Sequence, residues 1–261
     1  MPIITLLTDF GLSDQYIAQM KGVICQLAPQ ATIVDVTHEI AAQDIVQAAF
    51  VLRQVWGWFP PDTIHLAVVD PGVGSARRVV ACRYSGRYGI CPDNGLISMV
   101  HHQLKVEAVH VVDNRDLMLS NVSATFHGRD IMAPVAAHLA SGKPLRLVGP
   151  VTDRLEVLQL AAPRRLGEHG LAGEILCVDR FGNLISNISR SDLAGVLRFA
   201  PNAEVYLGGR SVGTVRTSYH EVPTGEPLAL IGSSDYLEIA VNCGHAARTL
   251  DAKRGTPVEL R

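Results

Sequence analysis

The chain has almost no excess charge, no paired cysteines and no long apolar run, and each absence closes off a class of function. Lysine and arginine number 23 against 25 aspartates and glutamates, a formal net charge of −2 with no basic stripe. A nucleic-acid partner, which needs clustered cations facing phosphates, is therefore not expected. The five cysteines (Cys25, Cys82, Cys91, Cys177, Cys243) are odd in number, far apart and without a CxxC pair, so reduced thiols are expected rather than a disulfide frame. No HExxH occurs, and the scattered histidines and cysteines lack ligand spacing, which argues against a zinc site. Apolar stretches are interrupted every few residues, so no membrane span is expected. Met1-Pro2 leads straight into strand-like IITLLTDF, with no basic flank and no small-residue cleavage site, and a cytoplasmic location is expected. The Gly-rich GVGSAR lacks the third glycine of a dinucleotide fingerprint, and a strand rather than a helix follows it.

What is present is an ordinary folded composition, 48% hydrophobic and 18% charged over 261 residues, enough for one large domain or two unequal ones. Buried strands are predicted over 3–7, 31–36 and 63–70. Between them lie helical patterns from Asp14 to Leu27 and from Asp44 to Phe59. This alternation predicts an α/β domain with a largely parallel sheet. VVACRYS and YGICPD, separated by Gly86 and Arg87, predict a hairpin and hence a mixed sheet. GLISMVHHQ predicts a short helix, VEAVHVV a strand, and Gly128 to Leu139 a final helix. The N-terminal domain is thus placed at 1–143 and a Pro-containing linker at 144–165. Residues 166–261, where short strands are broken by Gly, Asn and Pro, are placed in a smaller C-terminal antiparallel β-barrel domain.

Several polar residues stand where such an architecture places chemistry. Asp70 ends a buried strand and enters PGVG, seven residues before Arg77. Loops at the carboxyl ends of parallel strands hold ligands in α/β proteins, although a turn cap is the alternative. His127 precedes Gly128-Arg129-Asp130 at a predicted helix start, either as a buried structural histidine or as a site wall. A carboxylate, a guanidinium and an imidazole together can hold a water and remove its proton, without metal or cofactor. Asp9 and Asp14 frame FGLS, where carboxylates suit either a metal or the vicinal hydroxyls of a sugar. Asn183, in the turn DRFGN after Asp179, either pairs with a heterocycle edge or forms an Asx turn. GSSD at 232–235 either binds a carboxylate or only reverses the chain.

Taken in order, TDFGLSDQY, VVDPGVGSAR, ATFHGRD, DRFGNLISNI and GSSDYLEIAVN resemble the SAM hydroxide adenosyltransferase family along essentially the whole chain. Its members hydrolyse S-adenosyl-L-methionine (SAM) to adenosine and L-methionine, and they are relatives of fluorinase and chlorinase. The resemblance implies an N-terminal α/β domain, a C-terminal β-barrel and a homotrimer with active sites at subunit interfaces. SAM is then the substrate and no cofactor is needed. It implies a catalytic set at Asp70, Arg77 and His127. Asp9 would hold the ribose hydroxyls with Asp14 nearby, Asn183 the adenine edge, and Asp179 the amino-acid portion. Tyr219 would flank the adenine and Ser233 would lie near the methionine carboxylate, with Glu238 and the backbone near Val241 completing the set. Halogenating relatives carry an aromatic in place of Asp70, a serine in place of Gly128 and an arginine in place of Ser234. The alternatives left are a halide-dependent adenosyl transferase and a binding protein that holds adenosine or SAM without turnover.

Overall fold

The computed structural model describes residues 1–168 and 170–261, in two compact units, 1–158 and 159–261. The first unit follows the alternation of its sequence. In order it contains β1 (Ile3–Thr8), α1 (Tyr16–Leu27), β2 (Thr32–Thr37), α2 (Ile45–Trp56), β3 (Ile64–Val68), β4 (Val79–Tyr84), β5 (Arg87–Pro92), α3 (Ser98–Gln103), β6 (Val106–Val111) and α4 (Ala133–Ala140). Six strands form one sheet in the order β2-β1-β3-β5-β4-β6, and β4 alone runs against its neighbours. The period-two pleat sends alternate residues to opposite faces. In β1 and β3, Ile4, Leu6, Ile64, Leu66 and Val68 pack with Met20 and Ile24 of α1 and with α4. Leu7, Ala67 and Val69 point the other way, into a second core around Leu52 and Trp56 of α2.

The hairpin turns at Ser85-Gly86, one residue earlier than the sequence pattern suggests. Both residues have positive φ (47° and 78°), the combination a two-residue turn needs to match strand twist. The helix predicted over 128–139 is not uniform: Gly128–Met132 form a π-turn, and regular α-helix starts at Ala133. Pro134 is the cause, because it has no N–H to return to the Asp130 carbonyl. That carbonyl instead accepts from Leu119 N at 2.9 Å. Residues 145–158, read from sequence as part of a linker, pack on the first unit. Val148 is fully buried, Thr152 N donates to Val109 O, and Leu158 N donates to Ser98 Oγ at 2.8 Å.

The second unit is a closed seven-strand barrel, with β7 (Arg164–Leu166) paired to β8 (Gly170–Val178) as an eighth strand. The remaining strands are β9 (Leu184–Ser189), β10 (Glu204–Leu207), β11 (Arg210–Arg216), β12 (Pro227–Ile231), β13 (Tyr236–Val241) and β14 (Pro257–Leu260). The β14–β8 pairing closes the ring, and the inward residues Ile175, Leu184, Val205, Ile239, Val258 and Leu260 fill it. All barrel pairings are antiparallel except β11–β12, since the ten-residue connection between them carries the chain back to run in the same direction. Helices α5 (Arg190–Leu197) and α6 (Ala246–Thr249) also occur here. A strand-based reading passes over α5 because its apolar content is low, yet Ser189 and Asp192 form a reciprocal capping box at its start.

Candidate functional site

The sheet order places a crevice where chemistry is expected. The connection from β1 runs outward to β2, whereas the next crosses β1 to reach β3, so the carboxyl ends of β1 and β3 flank a topological switch point. Thr8 pairs with Val68 in the parallel register, which sets Asp9 and Asp70 just beyond the ends of neighbouring strands.

Asp70, Arg77 and His127 are brought together there. Arg77 Nε donates to Asp70 Oδ1 at 2.9 Å and Oδ2 at 3.0 Å, and Arg77 Nη2 makes a further, shorter bond to Oδ2. The same Nη2 lies 2.8 Å from His127 Nδ1. A guanidinium only donates, so Nδ1 is the acceptor and His127 is the neutral tautomer with its proton on Nε2. Burial and the Arg77 charge push the His127 pKa below its ordinary value, with Asp70 opposing them. The Asp70 and Arg77 side chains are only 5% and 10% exposed, so their pairing is weakly screened.

A single glycine permits this approach. Gly74 has φ +79°, and a Cβ on it would stand 2.4 Å from Ala124 O. The 70–77 loop therefore touches the segment leading to His127 only because residue 74 has no side chain. Gly74→Ala is expected to destabilise the first unit by about 2 kcal/mol or more and to lower turnover. Denaturant midpoints and initial rates measured together check this, and an unchanged rate would separate the loop contact from activity. Gly128 is similarly enclosed: its Cβ would meet Val68 Cγ1, Met20 Sδ and Phe126 Cε2 at 3.3–3.5 Å.

Asp9 joins the same end of the sheet, its Oδ2 accepting from Gln43 N at 2.8 Å. Asp14 does not join it and stands exposed in the loop before α1. Phe10, Tyr16 and Phe126 form a cluster with ring centroids 5.2–5.8 Å apart. They line a cavity of about 350 Å³ beside residues that flank Asp9 and His127.

In the second unit, Asp179, Asn183, Tyr219 and Glu238 form one constellation. Asp179 Oδ1 accepts from Phe181 N at 2.9 Å and Asn183 N at 2.8 Å, and its Oδ2 accepts from Asn183 Nδ2 at 3.0 Å. The Asx turn left open by the sequence is therefore present, and it also fixes the plane of the Asn183 amide. Gly182 makes it possible: with φ +88°, its Cβ would lie 2.2 Å from the His245 ring. Tyr219 Oη donates to Glu238 Oε1 at 2.6 Å. Burial, reinforced by Asp179, raises the Glu238 pKa, and the Tyr219 bond opposes that rise. Ser233 is exposed beside Gly232, whose missing side chain leaves room for Glu238 Oε2. The Val241 side chain belongs to the barrel core, so only its backbone can face a ligand.

Sequence reasoning missed the groups that hold these residues, namely Gln43 and, around the 70–77 loop, Asp93 and Asn94. The sequence signal for Asp93 and Asn94 is turn chemistry in CPDNGL, and Gln43 has none. None of the five cysteines is in a disulfide, and burial pushes the Cys82 thiol up to about 12, which leaves it unreactive. No cluster of metal-ligating side chains forms among the described residues, and no helix among them is long and apolar enough to cross a membrane.

Known proteins resemble this chain from end to end. The models of the SAM hydroxide adenosyltransferase N-terminal and C-terminal domains match residues 4–149 and 173–259. The (R)-S-adenosyl-L-methionine hydrolase of Thermus thermophilus is 40% identical, with 97% of each chain covered. That of Salinispora tropica is 39% identical over 97% of this chain and 95% of its own. A fluorinase of Actinoplanes sp. is 30% identical over 99% and 97%. A crystal structure of a conserved protein from Thermotoga maritima superposes with a TM-score of 0.92 at 38% identity, covering 98% of this chain and 99% of that one. Together with the two domain matches, these likenesses establish that the chain belongs to the SAM hydroxide adenosyltransferase family.

Proposed function

We propose that this protein is an S-adenosyl-L-methionine hydrolase in which water attacks C5′ of SAM, giving adenosine and L-methionine. The observation that carries the reading is one guanidinium shared between a carboxylate and an imidazole, nearly dry, at the switch point of the sheet. SAM brings its own activation, because the sulfonium departs as a neutral thioether and needs neither a general acid nor a cofactor.

Asp70 is the anion of the set. Its Oδ1 accepts one bond from Arg77 and keeps a further lone pair, whereas Oδ2 accepts two, and we assign Asp70, through Oδ1, as the acceptor of the water proton. His127, with Nδ1 engaged by Arg77, offers Nε2–H to the water oxygen and orients its lone pair. As the C5′–O bond forms, the water becomes oxonium-like and strongly acidic, so a carboxylate suffices as base. The C5′–S electron pair leaves on sulfur and neutralises the sulfonium, its positive charge passes to the attacking oxygen, and that charge is discharged as the proton reaches Asp70.

The remaining assignments serve binding. Asp9 takes the ribose hydroxyls with Asp14 at the rim, and Asn183, oriented by Asp179, reads the adenine edge. Tyr219 flanks the base, while Ser233, Glu238 and the Val241 backbone complete the contacts. The family likeness also supports a homotrimer with active sites at subunit interfaces, and the cytoplasmic location expected from the sequence is kept as part of this reading.

Reaction in ¹⁸O-water is expected to place the label in the 5′-hydroxyl of adenosine, read by mass spectrometry. Label found only in methionine would sink attack at C5′. The same assay with added chloride should yield no 5′-halo-nucleoside, whereas a halide-using transferase would form one and a binding protein would form no product. Because His127 works as a neutral acceptor for Arg77 and its pKa is lowered, kcat/KM should stay level as pH falls through the ordinary histidine value of about 6.5 and decline only below it. A decline centred at or above that value would contradict the assigned tautomer.

A further inference from the structure

The loop carrying Asp70 and Arg77 leaves the sheet at Val69 and returns at Arg78, and two adjacent residues beyond β5 hold both of its feet. Asn94 Nδ2 donates to Val69 O, the carbonyl just before Asp70, at 2.9 Å. Asn94 Oδ1 accepts from Leu96 N at 3.2 Å, which fixes the plane of that amide. Asp93 N donates to Arg78 O, just after Arg77, at 2.9 Å. The Asp93 carboxylate, whose side chain is 1% exposed, accepts from Arg78 Nε at 2.9 Å and Nη2 at 2.5 Å through Oδ2. Its Oδ1 takes Glu156 N at 2.9 Å. Val69 is fully buried, so without Asn94 its carbonyl would have to move to find another donor.

We propose that Asp93 and Asn94 are positioning residues, a two-residue clamp that fixes the feet of the 70–77 loop and thereby the placement of Arg77 between Asp70 and His127. The clamp adds a structural cause to the functional reading above and rests on it where turnover is concerned. It works by geometry: the loop is a closed span with feet on β3 and β4, and β5 lies between those strands in the sheet. Residues at the end of β5 are therefore the ones that reach both. A displacement of about 1 Å at reacting groups can cost about a hundredfold in rate.

Asn94→Ala and Asp93→Asn in the full chain test this with two readouts. Turnover of SAM should fall about ten- to a hundredfold in kcat, with KM held within about twofold because ground-state contacts lie elsewhere. In an Arg77→Ala background, Asp93→Asn should bring no further loss, because the group at the foot it holds is gone. The second readout needs no activity: the ¹⁵N signal of His127 Nδ1 should lose its acceptor-type shift as Arg77 drifts away. An unmoved His127 signal in both variants overturns the clamp, as do losses that multiply in the double variant. Full turnover by Arg77→Ala would instead bring down the functional reading, while the His127 signal still decides whether the clamp exists. Asp93→Asn keeps the volume and one acceptor oxygen, so it retains the fold if Asn94→Ala does not.

Discussion

Asp70→Asn is expected to lower kcat for SAM hydrolysis by about 10²–10⁴-fold, the range for loss of a positioned general base. The substitution keeps size and shape but removes the only anion of the trio. It also replaces one acceptor oxygen by an NH₂ that faces the donors of Arg77, which now bond to both Asp70 oxygens. Arg77 is then free to turn away, and His127 loses the donor that sets its tautomer. Both consequences fall on the step in which the proton moves, whereas the ribose and adenine contacts assigned to Asp9 and Asn183 are untouched. The loss should therefore appear in kcat with KM little changed. Adenosine release, measured with a denaturation curve on the same sample, checks this. A kcat within a few-fold of wild type, in a protein that unfolds cooperatively, would remove Asp70 as the proton acceptor.

The second large effect concerns stability, at a histidine far from the chemistry. His65 is fully buried in β3, stacked on Trp56 at 4.6 Å and hydrogen-bonded through Nδ1 to Thr5 Oγ1 at 2.8 Å. Its Nε2 is buried, and a Trp56 backbone group beside the ring partly opposes the effect of that burial. Burial, aided by the charge of Arg87, lowers its pKa from 6.5 to about 4. Above the unfolded value of 6.5 both states are neutral and His65 has no effect on the pH dependence. As pH falls from 6.5 to about 4, the unfolded chain binds a proton that the folded chain refuses, and stability is lost. Below about 4 both states are protonated and the loss levels off. The two values differ by an amount worth about 3 kcal/mol. In the double variant Thr5→Val/His65→Phe, where both partners become apolar and neither is left unpaired, the fall between about pH 6.5 and pH 4 should shrink by about that amount. Urea denaturation across this range is the measurement. A variant with the same acid slope as wild type would assign the acid sensitivity to other groups.

The elements of the first unit were legible because two periodicities coincide with two environments. Ile3–Thr8 and Ile64–Val68 are mostly apolar and buried along nearly their whole length, as strands covered on both faces must be. Tyr16–Leu27 and Ile45–Trp56 repeat their buried positions at helical spacing. Less legible was the break in the helix after His127, which depends on a carbonyl at Asp130 finding Leu119, eleven residues earlier. The strapping of residues 145–158 onto the first unit was also hidden, because a segment without periodic pattern reads as linker even when its backbone is bonded to a neighbouring strand.

The sequence by itself determined the inventory: α/β followed by β, cysteines without a disulfide frame, and five ordered motifs carrying Asp9, Asp70, Arg77, His127, Asn183 and Ser233. Residue types and spacing suffice for that, because they record which side chains are available and on which kind of turn. Only the tertiary structure decided how those residues are arranged. It put one guanidinium between Asp70 and His127, which sets the imidazole tautomer and leaves the carboxylate free to be the base we propose. It turned Asp179 toward Asn183, removed the Val241 side chain into the core and left Asp14 in solvent. The meeting of Arg77 with His127 joins residues 50 positions apart, permitted by Gly74 and held by Asp93 and Asn94. A hydrogen-bond direction or the closeness of two loops is a property of the packed chain, and no local pattern of sequence encodes it.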